Sequence, residues 1–195
     1  MVRWMFFGMG MGLVFLVGGV VLLNVNADKK SVNKKNKLSQ APNTMKLTSS
    51  AFKDGAWMDK KYTIDDGAQN LSPDLKWENV PNGTESFALI CDDPDAGQEP
   101  FVHWVLYNIP GDQRVLAENV SNVGMQGKND FGDFGYGGPR PPRKHGVHHY
   151  IFTLYALKQK LDFGSNVEVT RDLVLEAMDG LILATGKLVG TYKRD

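Results

Sequence analysis

Hydrophobic and polar positions divide the chain into three regimes. From residue 4 to residue 25 no charged side chain occurs, and Val, Leu, Phe and Met dominate. A helix needs ~20 such residues to cross a bilayer. Arg3 precedes the run, and Val25-Asn26-Ala27 offers a small-residue cleavage position before Asp28. Residues 1–27 therefore read as a signal peptide or an uncleaved transmembrane anchor. Lys29, Lys30, Lys34, Lys35 and Lys37 crowd the far flank, which argues against simple export because positive charge prefers the cytoplasmic side. The expectation is a membrane-anchored or exported protein, the periplasmic or extracellular side being favoured. Residues 28–44 are rich in Lys, Asn, Ser and Gln and cannot build a core, so they read as a flexible linker. The third regime, 45–195, is the folded domain.

Within that domain the apolar periodicity is mostly that of strands. Met45-Lys46-Leu47-Thr48 alternates, Tyr62-Thr63-Ile64 reads as a second short strand, and Leu75-Lys76-Trp77 alternates again after the loop chemistry of Asn70-Leu71-Ser72-Pro73. Residues 86–91, 102–109 and 150–157 are longer, nearly continuous apolar runs of the kind that form buried strands. The second run is stopped by Pro110-Gly111. Residues 124–146 are rich in Gly and Pro and have no period, and unstructured stretches of this length inside compact domains are usually functional or disordered. Thr170 can cap a helix with Asp172 in its first turn, which places Val174, Ala177, Met178 and Leu181 on one face. A last strand is expected over 186–192. Many short strands with irregular connections and one late helix predict an all-β, sandwich-like domain with small helical additions.

Composition narrows the function. The 22 Lys and Arg residues balance the 22 Asp and Glu residues, so the surplus of positive charge that phosphate-backbone binding requires is missing and no nucleic-acid partner is expected. Cys91 is the one cysteine, which excludes an intramolecular disulfide. Its place inside Phe87-Ala88-Leu89-Ile90-Cys91 suits a buried small hydrophobe rather than a reactive thiol.

Three polar clusters sit where strands meet loops. Asp92-Asp93-Pro94-Asp95 follows one apolar run, His103-Trp104 opens the next, and His145, His148, His149 and Tyr150 open the third; together they contain all 4 histidines. If these strands are neighbours, the clusters converge at one rim. A metal site could use two His and a carboxylate, but no pair of histidines is set at His-x-x-x-His spacing within an expected helix. A hydrolase needs an activated nucleophile, yet no Gly-x-Ser-x-Gly elbow exists. Acid–base work by Asp and His is chemically open. Anion binding fits best: imidazole N–H groups, a tyrosine O–H and exposed amides of a Gly-rich loop all donate, and a carboxylate would orient the imidazoles. Plainer readings exist for each residue. The aspartates can be turn residues around Pro94, a single histidine on a strand is often structural, the Gly and Pro residues can be loop geometry, and Trp77, Trp104 and Tyr155 read as core.

Taken in order, Asp93-Pro94-Asp95-Ala96, His103-Trp104, Gly135-Tyr136-Gly137-Gly138-Pro139-Arg140-Pro141-Pro142 and His148-His149-Tyr150-Ile151-Phe152 resemble the phosphatidylethanolamine-binding proteins. The likeness is greatest to the bacterial branch described as Raf-kinase-inhibitor-like. Asn70-Leu71-Ser72-Pro73-Asp74-Leu75-Lys76-Trp77 and Leu188-Val189-Gly190-Thr191-Tyr192 extend the resemblance over about 45–194. It implies a large antiparallel sheet packed on a smaller one with a C-terminal helix. It also implies a ligand pocket lined by Asp93, His103, His148 and Tyr150, with Gly138 and Arg140 contributing mainly backbone. Three departures stand out: Gly97 where many members have Pro, His149 for the usual Arg, and Arg140 where bacterial relatives often have Cys.

The expected function is non-catalytic binding of phosphate-type anions or phospholipid headgroups resembling phosphorylethanolamine, with neither cofactor nor metal. The alternative is a regulatory protein that inhibits a protease or kinase through the pocket rim. A weak hydrolase using the His/Asp pair ranks third. The partners this implies are a phosphate-containing small molecule or lipid headgroup, the membrane through the N-terminal segment, and, in the alternative, a kinase or protease.

Overall fold

The computed structural model describes residues 41–195; the expected membrane segment and most of the linker lie outside the described residues. A six-stranded sheet and a three-stranded sheet carry the architecture. The small sheet contains β1 (Lys46–Thr48), β3 (Leu75–Glu78) and β6 (Val115–Leu116), in the order β1-β3-β6. The large sheet contains β2 (Ala56–Trp57), β4 (Ser86–Asp93), β5 (Phe101–Pro110), β7 (Met125–Gln126), β8 (His148–Leu157) and β9 (Ile182–Tyr192), ordered β2-β9-β8-β4-β5-β7. Every pairing is antiparallel except that of β2 with β9.

The long apolar runs become the central strands because both faces of the large sheet are covered. On the inner face Phe87, Leu89, Trp104, Leu106, Phe152 and Leu154 pack against Leu47, Leu75, Trp77 and Leu116 of the small sheet. Trp77 meets Phe87 edge-on with ring centroids 5.3 Å apart, a geometry favoured by the ring quadrupoles. On the outer face Ala88, Ile90, Val105, Tyr107 and Leu157 form a second cluster with Val174 and Met178, which belong to and follow α1 (Arg171–Ala177). Thr170 caps that helix, its side chain accepting from the Leu173 amide.

The stretch 62–64 is not a strand. Residues Lys60–Tyr62 form a 3-10 turn capped by the Asp59 side chain, and the Thr63 amide and hydroxyl both donate to the Lys60 carbonyl. This local side chain–backbone bonding outcompetes a ladder. The two-residue strands β2, β6 and β7 are too short to leave a period in the sequence.

Two irregularities in β5 matter. Opposite β4, the register shifts between Phe87 and Leu89 and again between Cys91 and Asp92. At the second shift Cys91 faces Trp104 and Asp92 faces Val102, so His103 is the extra residue of a β-bulge. A bulge interrupts strict alternation and re-aims a side chain. Here it lets His103 join Trp104 on the inner face, while Val102 and Val105 face outward.

Phe87, fully buried between the sheets, sets the scale of this packing. Phe87→Ala is expected to cost ~3–5 kcal/mol in a denaturant titration. Lys187→Ala, at an exposed position of β9, should stay within ~0.5 kcal/mol.

Candidate functional site

Strand alternation sorts the paired residues of each polar cluster onto opposite faces of the large sheet. At the end of β4, Asp93 points inward, whereas Asp92 meets Arg171 at 3.1 Å on the side of α1. At the start of β8, His148 and Tyr150 point inward and His149 points outward. The tandem pairs Asp92-Asp93 and His148-His149 thus each supply one group to the interior and one to the exterior. Antiparallel pairing of β4 with β8 and β5 brings Asp93, His103, His148 and Tyr150 to the same end of the same face. All are buried, their exposures ranging from 1% to 3%.

Asp93 is the hub. Its Oδ2 accepts a hydrogen bond from His148 Nδ1 at 2.7 Å, and its Oδ1 accepts the Asp95 amide at 2.9 Å. The Tyr150 hydroxyl is buried and has no hydrogen-bond partner among the described residues. Burial and then the nearby Asp93 charge push its pKa far above the ordinary phenol value, so it remains an O–H donor at any physiological pH.

His103 lies in an aromatic setting. Its ring stands edge-on to Tyr150 with centroids 5.0 Å apart, and it contacts Phe101 and Phe131 at 5.2 and 5.4 Å. Nδ1 lies 2.6 Å from the Gly137 carbonyl. A carbonyl only accepts, so Nδ1 carries the proton, and in the neutral ring Nε2 is left as the acceptor nitrogen. Burial lowers the His103 pKa; the Gly137 carbonyl and the Asp93 charge pull it the other way without cancelling the effect.

The Gly/Pro loop is positioned by Asn70, which has a left-handed backbone (φ 55°). Its side-chain amide bridges both neighbours of Gly137, with Oδ1 accepting the Gly138 amide at 2.8 Å and Nδ2 donating to the Tyr136 carbonyl at 3.3 Å. The Gly137 amide donates to the His103 carbonyl at 2.9 Å, so Gly137 and His103 hold each other twice. A side chain at Gly138 would collide with the Tyr62 carbonyl and lie 2.7 Å from Thr63 Cα. Gly138 is therefore a position of close backbone approach, and its amide is committed to Asn70. The Arg140 guanidinium is at the surface, 3.7 Å from Asp66.

Sequence reasoning singled out neither Asn70 nor Gly137 as a holder of the site, nor Phe101 and Phe131 as its walls. His145, which sequence reasoning placed in the third polar cluster but not in the pocket, has its Nδ1 2.7 Å from His148 Nε2. The His145-x-x-His148 spacing was the available signal. His149 turns outward and pairs with Asp95 through both its ring and its amide, each at 2.8 Å. Among the described residues no group of His, Cys, Asp and Glu is arranged to hold a metal ion.

The depressed pKa of His103 has a definite sign in stability. The unfolded chain takes up this proton more readily than the folded one. The stabilising contribution is therefore complete above the ordinary imidazole pKa of ~6.5 and is lost as pH falls from there towards the folded value. His103→Gln, which cannot titrate, is expected to flatten that segment of the stability curve. Denaturant midpoints measured between pH 7.5 and pH 5 test this; a slope unchanged by the substitution would contradict it.

Comparison with known proteins places this geometry in a family. The family model described as phosphatidylethanolamine-binding protein matches residues 48–193. A UPF0098 protein of Methanothermobacter thermautotrophicus is 46% identical over 156 residues, covering 77% of this chain and 99% of that protein. One from Aquifex aeolicus is likewise 46% identical over 156 residues, covering 77% and 90%. Among solved structures, a phosphatidylethanolamine-binding protein homologue from Chlamydia trachomatis superposes with a TM-score of 0.71 at 39% identity, covering 78% of this chain and 99% of that one. Escherichia coli YbcL, described as a member of the mammalian family, gives 0.71 at 30% identity with the same coverage. With its two sheets, its inward-facing Asp/His/Tyr cluster and a family match over nearly the whole described domain, the chain belongs to the phosphatidylethanolamine-binding protein family.

Proposed function

We propose that the domain binds a phosphate-type anion, free or as a phospholipid headgroup, without catalysing a reaction on it. The observation that carries this reading is the unpartnered Tyr150 hydroxyl, buried beside Asp93 and against His103. A buried donor without a partner costs ~1–3 kcal/mol, and an acceptor oxygen entering the site would recover it. His103 Nε2 stands on the other side. Once protonated, it would give a second, charge-assisted donor, roughly twice as strong as a neutral one. Asp93 favours that protonation; as an ionised carboxylate it only accepts hydrogen bonds, so it offers an anion no donor of its own.

The same groups support a binding protein rather than an enzyme. A nucleophile is lacking beside the His/Asp pair: Cys91 is buried in β4, and burial pushes its thiol pKa well above the usual value. The exposed rings of Phe131 and Phe134 border this end of the domain and favour, as a second reading, a protein partner docking on the rim.

Binding through His103 requires a proton that the free site lacks. Titration of the full-length chain with inorganic phosphate or phosphorylethanolamine should show net proton uptake, read from calorimetry in buffers of different ionisation enthalpy. Affinity should weaken by up to ~10-fold per pH unit on the alkaline side of the linked pKa. Tyr150→Phe and His103→Ala are each expected to lose ~10-fold or more, the value of ~1.5–3 kcal/mol for a hydrogen bond to a charged group. Absence of binding at pH 6, or affinity independent of Tyr150 and His103, would refute the assignment.

A further inference from the structure

The residue between the buried cluster and solvent is His145. Its side chain is exposed, whereas His148 is 1% exposed. Their rings lie 5.0 Å apart, inclined by 50°, with His145 Nδ1 2.7 Å from His148 Nε2. The backbone imposes this placement. Lys144 and Gly146, on either side of His145, have φ of 63° and 99°. The Lys144 amide donates to the Arg194 carbonyl, and the His145 amide closes a turn on the Pro142 carbonyl, both at 3.2 Å. A lysine in the left-handed region is strained by ~1–2 kcal/mol, and such strain persists only where surrounding contacts maintain it.

Proton counting decides what this contact can do. His148 Nδ1 donates to Asp93, so the contact between the rings holds one proton, on His145 Nδ1 or on His148 Nε2. With both rings fully protonated, two N–H groups would face each other across 2.7 Å, and the contact would have to open. The charges around the pair determine which ring leaves. Under His148 lie Asp93 and, after β4, Asp95, with His103 and Tyr150 on the neighbouring strand positions. Around His145 the loop carries Arg140, Arg143 and Lys144, and Arg194 and Asp195 follow β9. Asp66 pairs with Arg140, Arg143 and Arg194, and Asp65 with Arg194. His148 is therefore held by carboxylate, while a charged His145 would sit on the arginine- and lysine-bearing loop. A Cβ built at Gly146 would meet nothing within 4 Å, so no packed neighbour holds the loop at that point.

We propose that His145 is a resident competitor for the His148 nitrogen that an anion would engage: a plug that leaves when it gains a second proton or when a phosphate-type ligand displaces it. This rests on the anion-binding reading above, extends the anion's contacts from Tyr150 and His103 to the neighbouring His148 Nε2, and adds their regulation. Occupancy of the site by its own loop multiplies apparent affinity by the open fraction and so weakens it.

The test uses the full-length chain, His145→Ala and inorganic phosphate. At pH 7.5 the variant is expected to bind phosphate at least ~5-fold more tightly than the unsubstituted chain, the gain corresponding to a mostly closed site. At pH 5.5 the difference should be smaller than at pH 7.5, because added protons favour opening of the contact in the unsubstituted chain. Weaker binding by the variant would make His145 a direct ligand and overturn the proposal, as would equal affinity at both pH values. A ligand-free readout separates this from the parent reading. Nitrogen-15 spectra of the histidine rings should show a proton shared between His145 Nδ1 and His148 Nε2 at pH 7.5 and its loss on acidification. If that signal behaves so while neither phosphate nor phosphorylethanolamine binds, the anion reading falls and the proton-operated contact stands. If the rings share no proton, the plug is refuted whatever binds.

Discussion

The hydrogen bond between Asp93 and His148, 2.7 Å long with side-chain exposures of 4% and 2%, is the constraint on which the functional end of the molecule depends. A carboxylate cannot be left alone in an interior; it must be paired or neutralised. Losing one partner of a buried ion pair typically costs ~3–5 kcal/mol. The bond spans the two central strands, so it penalises any slip of β8 against β4, which would turn His149 inward and leave Asp93 uncompensated. Register, side-chain orientation and the electrostatics of the neighbouring Tyr150 and His103 thus follow from a single contact.

Much of this was legible in the residues, for identifiable reasons. The runs 86–91, 102–109 and 150–157 declare themselves because they are covered on both faces and need no polar alternation. Thr170 announces the helix because an N-cap is a local signal. The convergence of Asp93, His103, His148 and Tyr150 was foreseeable from polar clusters at strand ends. What was illegible depends on non-local geometry. His103 reaches the inner face only through a bulge, which periodicity cannot reveal. The Asn70 clamp pairs residues 68 positions apart. The stretch 62–64 has strand-like residues, but a hydrogen-bonded turn begun by Asp59 takes precedence. Arg140 was expected to contribute mainly backbone; that its guanidinium lies near Asp66 is a non-local contact that the residues did not announce.

The site combines rigid and labile parts. Gly137, clamped by Asn70 and bonded twice to His103, forms a wall with little freedom. His145, on a loop with left-handed residues on both sides, is retained by one ring-to-ring contact and by its amide's bond to the Pro142 carbonyl, while the Lys144 amide ties the loop to the Arg194 carbonyl. Were the site to bind the proposed anion, such a contrast would serve it: preorganised groups lower the cost of ligand capture, and a segment of low local stability would provide the way in.

The edges of the large sheet carry a separate consequence. Both end strands, β2 and β7, are two residues long, yet β9 behind β2 runs for 11. Its outer rim is capped twice: near Thr185 by Pro42 and Met45, and near Val189 and Thr191 by Gly55 and Met58. A long strand with a bare rim is a template for foreign chains. Here the extended, hydrogen-bond-hungry backbone is covered by short pieces of irregular chain, and the strands rich in Leu, Phe and Ile are confined to the middle. The arrangement opposes amyloid-like stacking and leaves the strand ends that carry Asp93, His103 and His148 outside the capped edge.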